Sequence, residues 1–119
     1  MTIKLKDLAK LLDAEIIVGD EQPELTFKFC TASDLMSDVL RGPVSGSILI
    51  TGLNNTQVIR ASVIANVAAI ILVRKKRPDE ELVARAREHG IPLVRTPYTM
   101  FMVCGKLYEA GLRGMDELM

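Results

Sequence analysis

The chain has 119 residues, with 15 Lys+Arg against 15 Asp+Glu, one His, two Cys and no Trp. Hydrophobic residues make up 49% and charged residues 25%, which excludes a disordered chain and fits one globular domain able to fold without disulfides or metal. A net charge of zero argues against a general polyanion binder, so nucleic acid is not an expected partner.

The first residues, Met1-Thr2-Ile3-Lys4-Leu5-Lys6-Asp7, lack the apolar core of a signal peptide. Leu5, Leu8, Leu11 and Leu12 then recur at helical spacing. Glu15 to Val18 is a short β-branched strand closed by Gly19-Asp20, and Thr26 to Cys30 alternates as a second strand. Ser33 is placed to cap a short helix through Leu40. Beyond Gly42-Pro43 and Gly46 the pattern is regular. Ser47 to Thr51 is a strand, and Asn54, Asn55 and Thr56 offer caps for a helix to about Asn66. Ala68 to Val73 is apolar on both faces, as a strand inside a parallel sheet must be. Pro78 suits the first position of the next helix, with Asp79, Glu80 and Glu81 complementing its dipole and Gly90 closing it. Ile91 to Arg95 is the last strand, and Thr96-Pro97 opens a helix ending near Gly111. The fold class predicted is α/β: a single domain, three-layer-like, with a mainly parallel sheet flanked by helices.

In an open α/β sheet, the loops after the strands share the carboxyl edge, where ligands bind. Three such loops are Thr51 to Asn55, Arg74 to Arg77 and Thr96 to Thr99. Gly52 permits close backbone approach, helix N-termini offer N–H groups, and the four adjacent cations attract phosphate or carboxylate. Gly52, Asn54, Asn55, Arg74, Lys75 and Thr96 are therefore the candidate ligand-binding residues, for a small anion such as a nucleotide or phosphometabolite. The competing reading is a solvated βα edge with ordinary caps. No P-loop spacing occurs.

Other candidates are weaker. Asp34 and Asp38 lie four apart on the short helix predicted from Ser33, a spacing that suits a cation or acid–base work but more often marks exposed helix charges. His89 sits where a helix ends and has no nucleophile nearby in sequence. Cys30 and Cys104 form no metal-binding spacing and read as reduced, buried thiols of a cytoplasmic protein. The longest apolar run, Val67 to Val73, is far short of the roughly 18 residues of a membrane span. The last helix carries Met100, Phe101, Met102, Val103, Cys104, Leu107 and Tyr108, more than one apolar stripe, which fits a core helix or a subunit contact equally. No catalytic residue, cofactor or metal is predicted.

The segments LKDLAKLLDAEIIVGD, ASDLMSDVL, SILITGLNNTQVIRAS and AAIILVRKKRPDEELVARAREHGIPLVRT, with a terminal helix, resemble the DRTGG domain family. That domain occurs in bacterial phosphotransacetylases and in some pyrophosphatases with CBS domains, and is similar to the N-terminal domain of HPr kinase/phosphorylase. The resemblance covers nearly the whole chain and implies a single DRTGG-like domain over 1–119 with the HPr kinase N-domain-like architecture. Where the family carries its Asp-Arg and Thr-Gly-Gly, this chain has Asn54-Asn55 and Val73-Arg74-Lys75, as in a divergent, stand-alone branch similar to small proteins encoded near iron-hydrogenase genes. The resemblance implies a non-catalytic regulatory or dimerisation role, with a homodimer as the expected assembly. The alternative is an interaction module docking on a partner enzyme or kinase, hydrogenase-associated by that likeness; a small enzyme using Asp34/Asp38 or a cysteine stands third.

Overall fold

The computed structural model describes residues 1–118, with side chains through 116. In chain order the elements are β1 (Ile3–Lys4), α1 (Leu5–Leu11), β2 (Glu15–Val18), β3 (Thr26–Phe27), β4 (Phe29–Ala32), α2 (Met36–Arg41), β5 (Ser47–Thr51), α3 (Thr56–Ala65), β6 (Ala69–Leu72), α4 (Glu80–His89), β7 (Leu93–Arg95) and α5 (Met100–Glu109), followed by a 3₁₀ turn at Met115–Leu118. Five strands form one sheet in the order β2-β7-β6-β5-β4. The four strands from β4 to β7 run parallel, and β2 closes the sheet antiparallel to β7, with Glu15 opposite Arg95. A separate ribbon pairs β1 with β3.

Apolar residues on both faces of the central strands make a sandwich. Leu49, Ile70, Leu72 and Leu93 pack under Val58 and Ile59 of α3, Leu82 and Ala86 of α4 and Val39 of α2. Their chain neighbours Ile48, Ile50, Ile71 and Val94 face the other way, against Leu5 and Leu8 of α1 and Val103 and Leu107 of α5. Helices thus cover both faces, as a parallel sheet requires, and the strand ends turn into loops along one edge.

The helix ends show where local signals prevailed. Asn55 accepts the Gln57 N–H at 2.9 Å and opens α3, and Asn66 closes it in the left-handed region at φ 58°. Gly90, at φ 67°, closes α4. Four predicted boundaries are corrected. The strand expected over Thr26 to Cys30 is two strands, because Thr26 and Phe27 pair with β1 while Phe29 onward joins β5 in the main sheet. Ser33 does not cap a helix. Its N–H continues the ladder to the Ile50 carbonyl at 3.0 Å and its hydroxyl accepts from the Leu35 N–H at 3.0 Å, so α2 starts at Met36 without a side-chain cap. Pro78 precedes the helix rather than opening it, since the Asp79 carboxylate is the cap, taking the Leu82 N–H at 3.2 Å. Thr96-Pro97 likewise stays outside α5. The Thr96 hydroxyl is buried and spent on the Leu12 carbonyl at 2.6 Å, and Thr99 does the capping.

Candidate functional site

The loops after β4, β5 and β6 meet at the carboxyl edge of the sheet. Asp34, just beyond β4, reaches across to β5. Its carboxylate accepts the Gly52 N–H at 2.6 Å and the Thr51 hydroxyl at 3.0 Å. The Gly52 N–H is the largest influence holding this carboxyl below its usual range, with burial opposing and the Thr51 hydroxyl, Arg74 and Lys76 assisting. Gly52 leaves room for this approach: a Cβ there would lie 3.1 Å from the Arg74 guanidinium and 3.4 Å from the Asp34 carboxylate, so these side chains would have to shift. Lys76 completes the cradle by donating from Nζ to the Gly52 carbonyl.

The cationic loop is pinned through its backbone. The Arg74 N–H donates to the Tyr98 carbonyl at 2.8 Å and the Lys75 N–H to the Thr96 carbonyl at 2.6 Å. This holds two successive non-glycine residues in the left-handed region, Arg74 at φ 63° and Lys75 at φ 55°, at a cost of roughly 1–2 kcal/mol each. Asn54 clips the far end, donating to the Arg77 carbonyl and accepting the Asp79 N–H at 2.7 Å. Lys75 and Arg77 are exposed, and neither enters an ion pair among the described residues.

Of the six residues predicted from sequence, Gly52, Asn54, Arg74 and Lys75 gather at this edge through the contacts above, and Asn55 sits beside them as the α3 cap. Thr96 lies beneath the loop as a fully buried support whose hydroxyl also accepts the Tyr98 N–H at 3.2 Å. Two contributors were missed, Asp34 as the seated carboxylate and Lys76. Asp34 had been paired with Asp38 by spacing along one helix. That is corrected: Asp34 precedes α2, and Asp38, on the helix, pairs with Arg41 instead. The unbroken run from Arg74 to Arg77 was the signal for Lys76.

The remaining candidates fall elsewhere. His89 is the exposed last residue of α4. Burial pushes the Cys30 thiol up to about 12, and the Cys104 thiol is raised by burial too, which keeps both protonated. They line a small, mainly apolar cavity of about 150 Å³ with Ile50 and Leu107. Among the described residues there is no group of three or more His, Cys, Asp or Glu able to hold a metal, and no helix long and apolar enough to cross a membrane. α5 divides its apolar residues: Val103 and Leu107 are buried, whereas Phe101 (89% exposed), Met102 (46%) and Tyr108 (58%) face outward.

The parallel core, the strand-edge loops and the paired helix layers coincide with a family model, the DRTGG domain, over residues 7–110. The chain belongs to the DRTGG domain family. Its fold is similar to part of a crystal structure described as the CBS and DRTGG domains of the regulatory region of Clostridium perfringens pyrophosphatase complexed with the activator diadenosine tetraphosphate: TM-score 0.71, 17% identity, over 87% of this chain and 45% of that one. The chain therefore spans less than half of that regulatory region. No curated protein matches the sequence. The left-handed backbone at Arg74 and Lys75, of a kind suited to glycine, carries long cationic side chains.

Proposed function

We propose that this DRTGG domain is a non-catalytic regulatory domain that binds a small anionic ligand, a nucleotide or phosphometabolite, at the carboxyl edge of its sheet. The observation that carries this reading is the cradle at Gly52, where a backbone N–H and a hydroxyl hold an oxyanion, the protein's own Asp34 carboxylate, with the charges of Arg74 and Lys76 nearby. Lys75 and Arg77 extend the positive field outward beyond that internal anion. A regulatory region that shares this fold over less than half of its length has been crystallised with a nucleotide activator, which supports the ligand class.

Thermal unfolding with a panel of nucleotides and phosphometabolites tests the reading. A ligand at one hundred times its Kd adds about 2.7 kcal/mol of stability. We expect that gain in the wild type and its loss in Lys75→Glu/Arg77→Glu. No stabilisation by any anion at millimolar concentration overturns the reading.

A second reading concerns α5. Its outward Phe101, Met102 and Tyr108 favour self-association of the domain into a homodimer, or docking on a partner enzyme. Sedimentation velocity separates these: a homodimer dissociates in Phe101→Ser, and a strictly monomeric wild type at micromolar concentration leaves only the partner.

A further inference from the structure

We propose that the groove between β2 and α4 receives the base of a nucleoside polyphosphate whose phosphates rest on the Arg74–Arg77 loop, an inference that builds on the anion reading above. The groove is open, with a volume of about 610 Å³, within the range of small-molecule sites. Its lining includes the aliphatic Ile17, Val83 and Ala84 and the charged Arg77, Arg87, Arg95, Glu15 and Glu80.

Two of these arginines are held in place. Arg87 donates to the Ile17 carbonyl at 3.3 Å, and Arg95 donates from Nε to Glu15 at 2.9 Å. Each guanidinium has five N–H donors, so these bonds orient the groups and leave donors for a ligand. A guanidinium plane is also a stacking surface for a flat aromatic ring. Glu15 is matched by Arg95, leaving Glu80 against Arg77 and Arg87, so the groove stays positive on balance. Arg77 belongs to both places, lining the groove and ending the cationic loop, with its carbonyl held by Asn54. Groove and loop are thus one continuous surface. An inorganic anion has no use for the aliphatic lining, and an apolar ligand has none for three arginines. A nucleoside polyphosphate uses both.

Calorimetric titration of the full chain with inorganic tripolyphosphate, ATP without added divalent metal, and adenosine tests this. Tripolyphosphate carries at least as much negative charge as ATP, so charge alone cannot make ATP the tighter ligand. We expect ATP to bind about tenfold more tightly than tripolyphosphate, and the exposed, uncharged substitution Ala84→Gln to reduce that advantage while leaving tripolyphosphate unaffected. Equal affinities of the two phosphates, or an ATP advantage that Ala84→Gln does not reduce, overturn the groove assignment and leave the anion site standing. Absence of binding by both phosphates overturns the anion reading, and the groove assignment with it.

Discussion

The cradle at Gly52 and the outer face of α5 are built in opposite ways. At the cradle nearly every polar group is committed: Asp34 to Gly52 and Thr51, Lys76 to the Gly52 carbonyl, Asn54 to both Arg77 and Asp79. Backbone strain at Arg74 and Lys75 is maintained by hydrogen bonds to Tyr98 and Thr96. On α5 the outward residues Phe101 and Met102 are large, apolar and exposed. The first surface is a hydrogen-bonded platform that leaves the exposed Lys75 and Arg77 for a small charged group. The second offers apolar area, which suits a broad contact.

Mutations sharpen that contrast, beginning with the largest effect. Leu107→Ala, on the inner side of α5, is expected to cost about 2–5 kcal/mol in urea denaturation, because Leu107 is buried in the core between α5 and the sheet. A loss comparable to that of a surface substitution would show that α5 is not anchored as described. Asp34→Ala leaves the Gly52 N–H and Thr51 hydroxyl without their acceptor. Solvent access limits the expected cost to about 1 kcal/mol.

The same carboxylate sets a pH dependence. Its folded pKa lies below the unfolded value of about 3.9. Its contribution is therefore complete above that value and lost as pH falls through the folded pKa, a window lying below about pH 4. Stability measured against pH in wild type and Asp34→Asn should diverge above that window and converge within it. Parallel curves would show that Asp34 is not held as the structure places it.

Lys75→Gly releases the left-handed strain, and denaturation should show a gain of about 0.5 kcal/mol after the entropy that glycine adds to the unfolded chain. Lys75→Ala, which keeps a Cβ, should show no gain. Equal behaviour of the two would argue that the loop relaxes. Phe101→Ser, the smallest, is expected to change monomer stability by less than about 0.5 kcal/mol. A larger loss would mean that this side chain packs within its own domain.

Much of the fold was legible because its cues are local. The apolar run Ala69–Leu72, the caps Asn55 and Gly90 and the acidic start of α4 each act within one element. The misses came where a distant partner claimed the residue. Ser33 was drawn into the ladder by Ile50, and Thr96 was claimed by Leu12, 84 residues away. The pairing of Asp34 with Asp38 failed for the same reason: linear spacing suggested one helix, while the Gly52 N–H drew Asp34 out of it.

The sequence by itself determined the alternation of strand and helix, the two-faced apolar strands and the local concentration of positive charge from Arg74 to Arg77. These follow from periodicity and composition, which act over a few residues. Only the tertiary structure decided that Asp34 sits among those cations, that Arg74 and Lys75 hold a left-handed backbone, and that α4 and β2 leave a groove beside them. Those features depend on which loops the parallel sheet brings to a common edge, and that is settled by burying both faces of its strands at once.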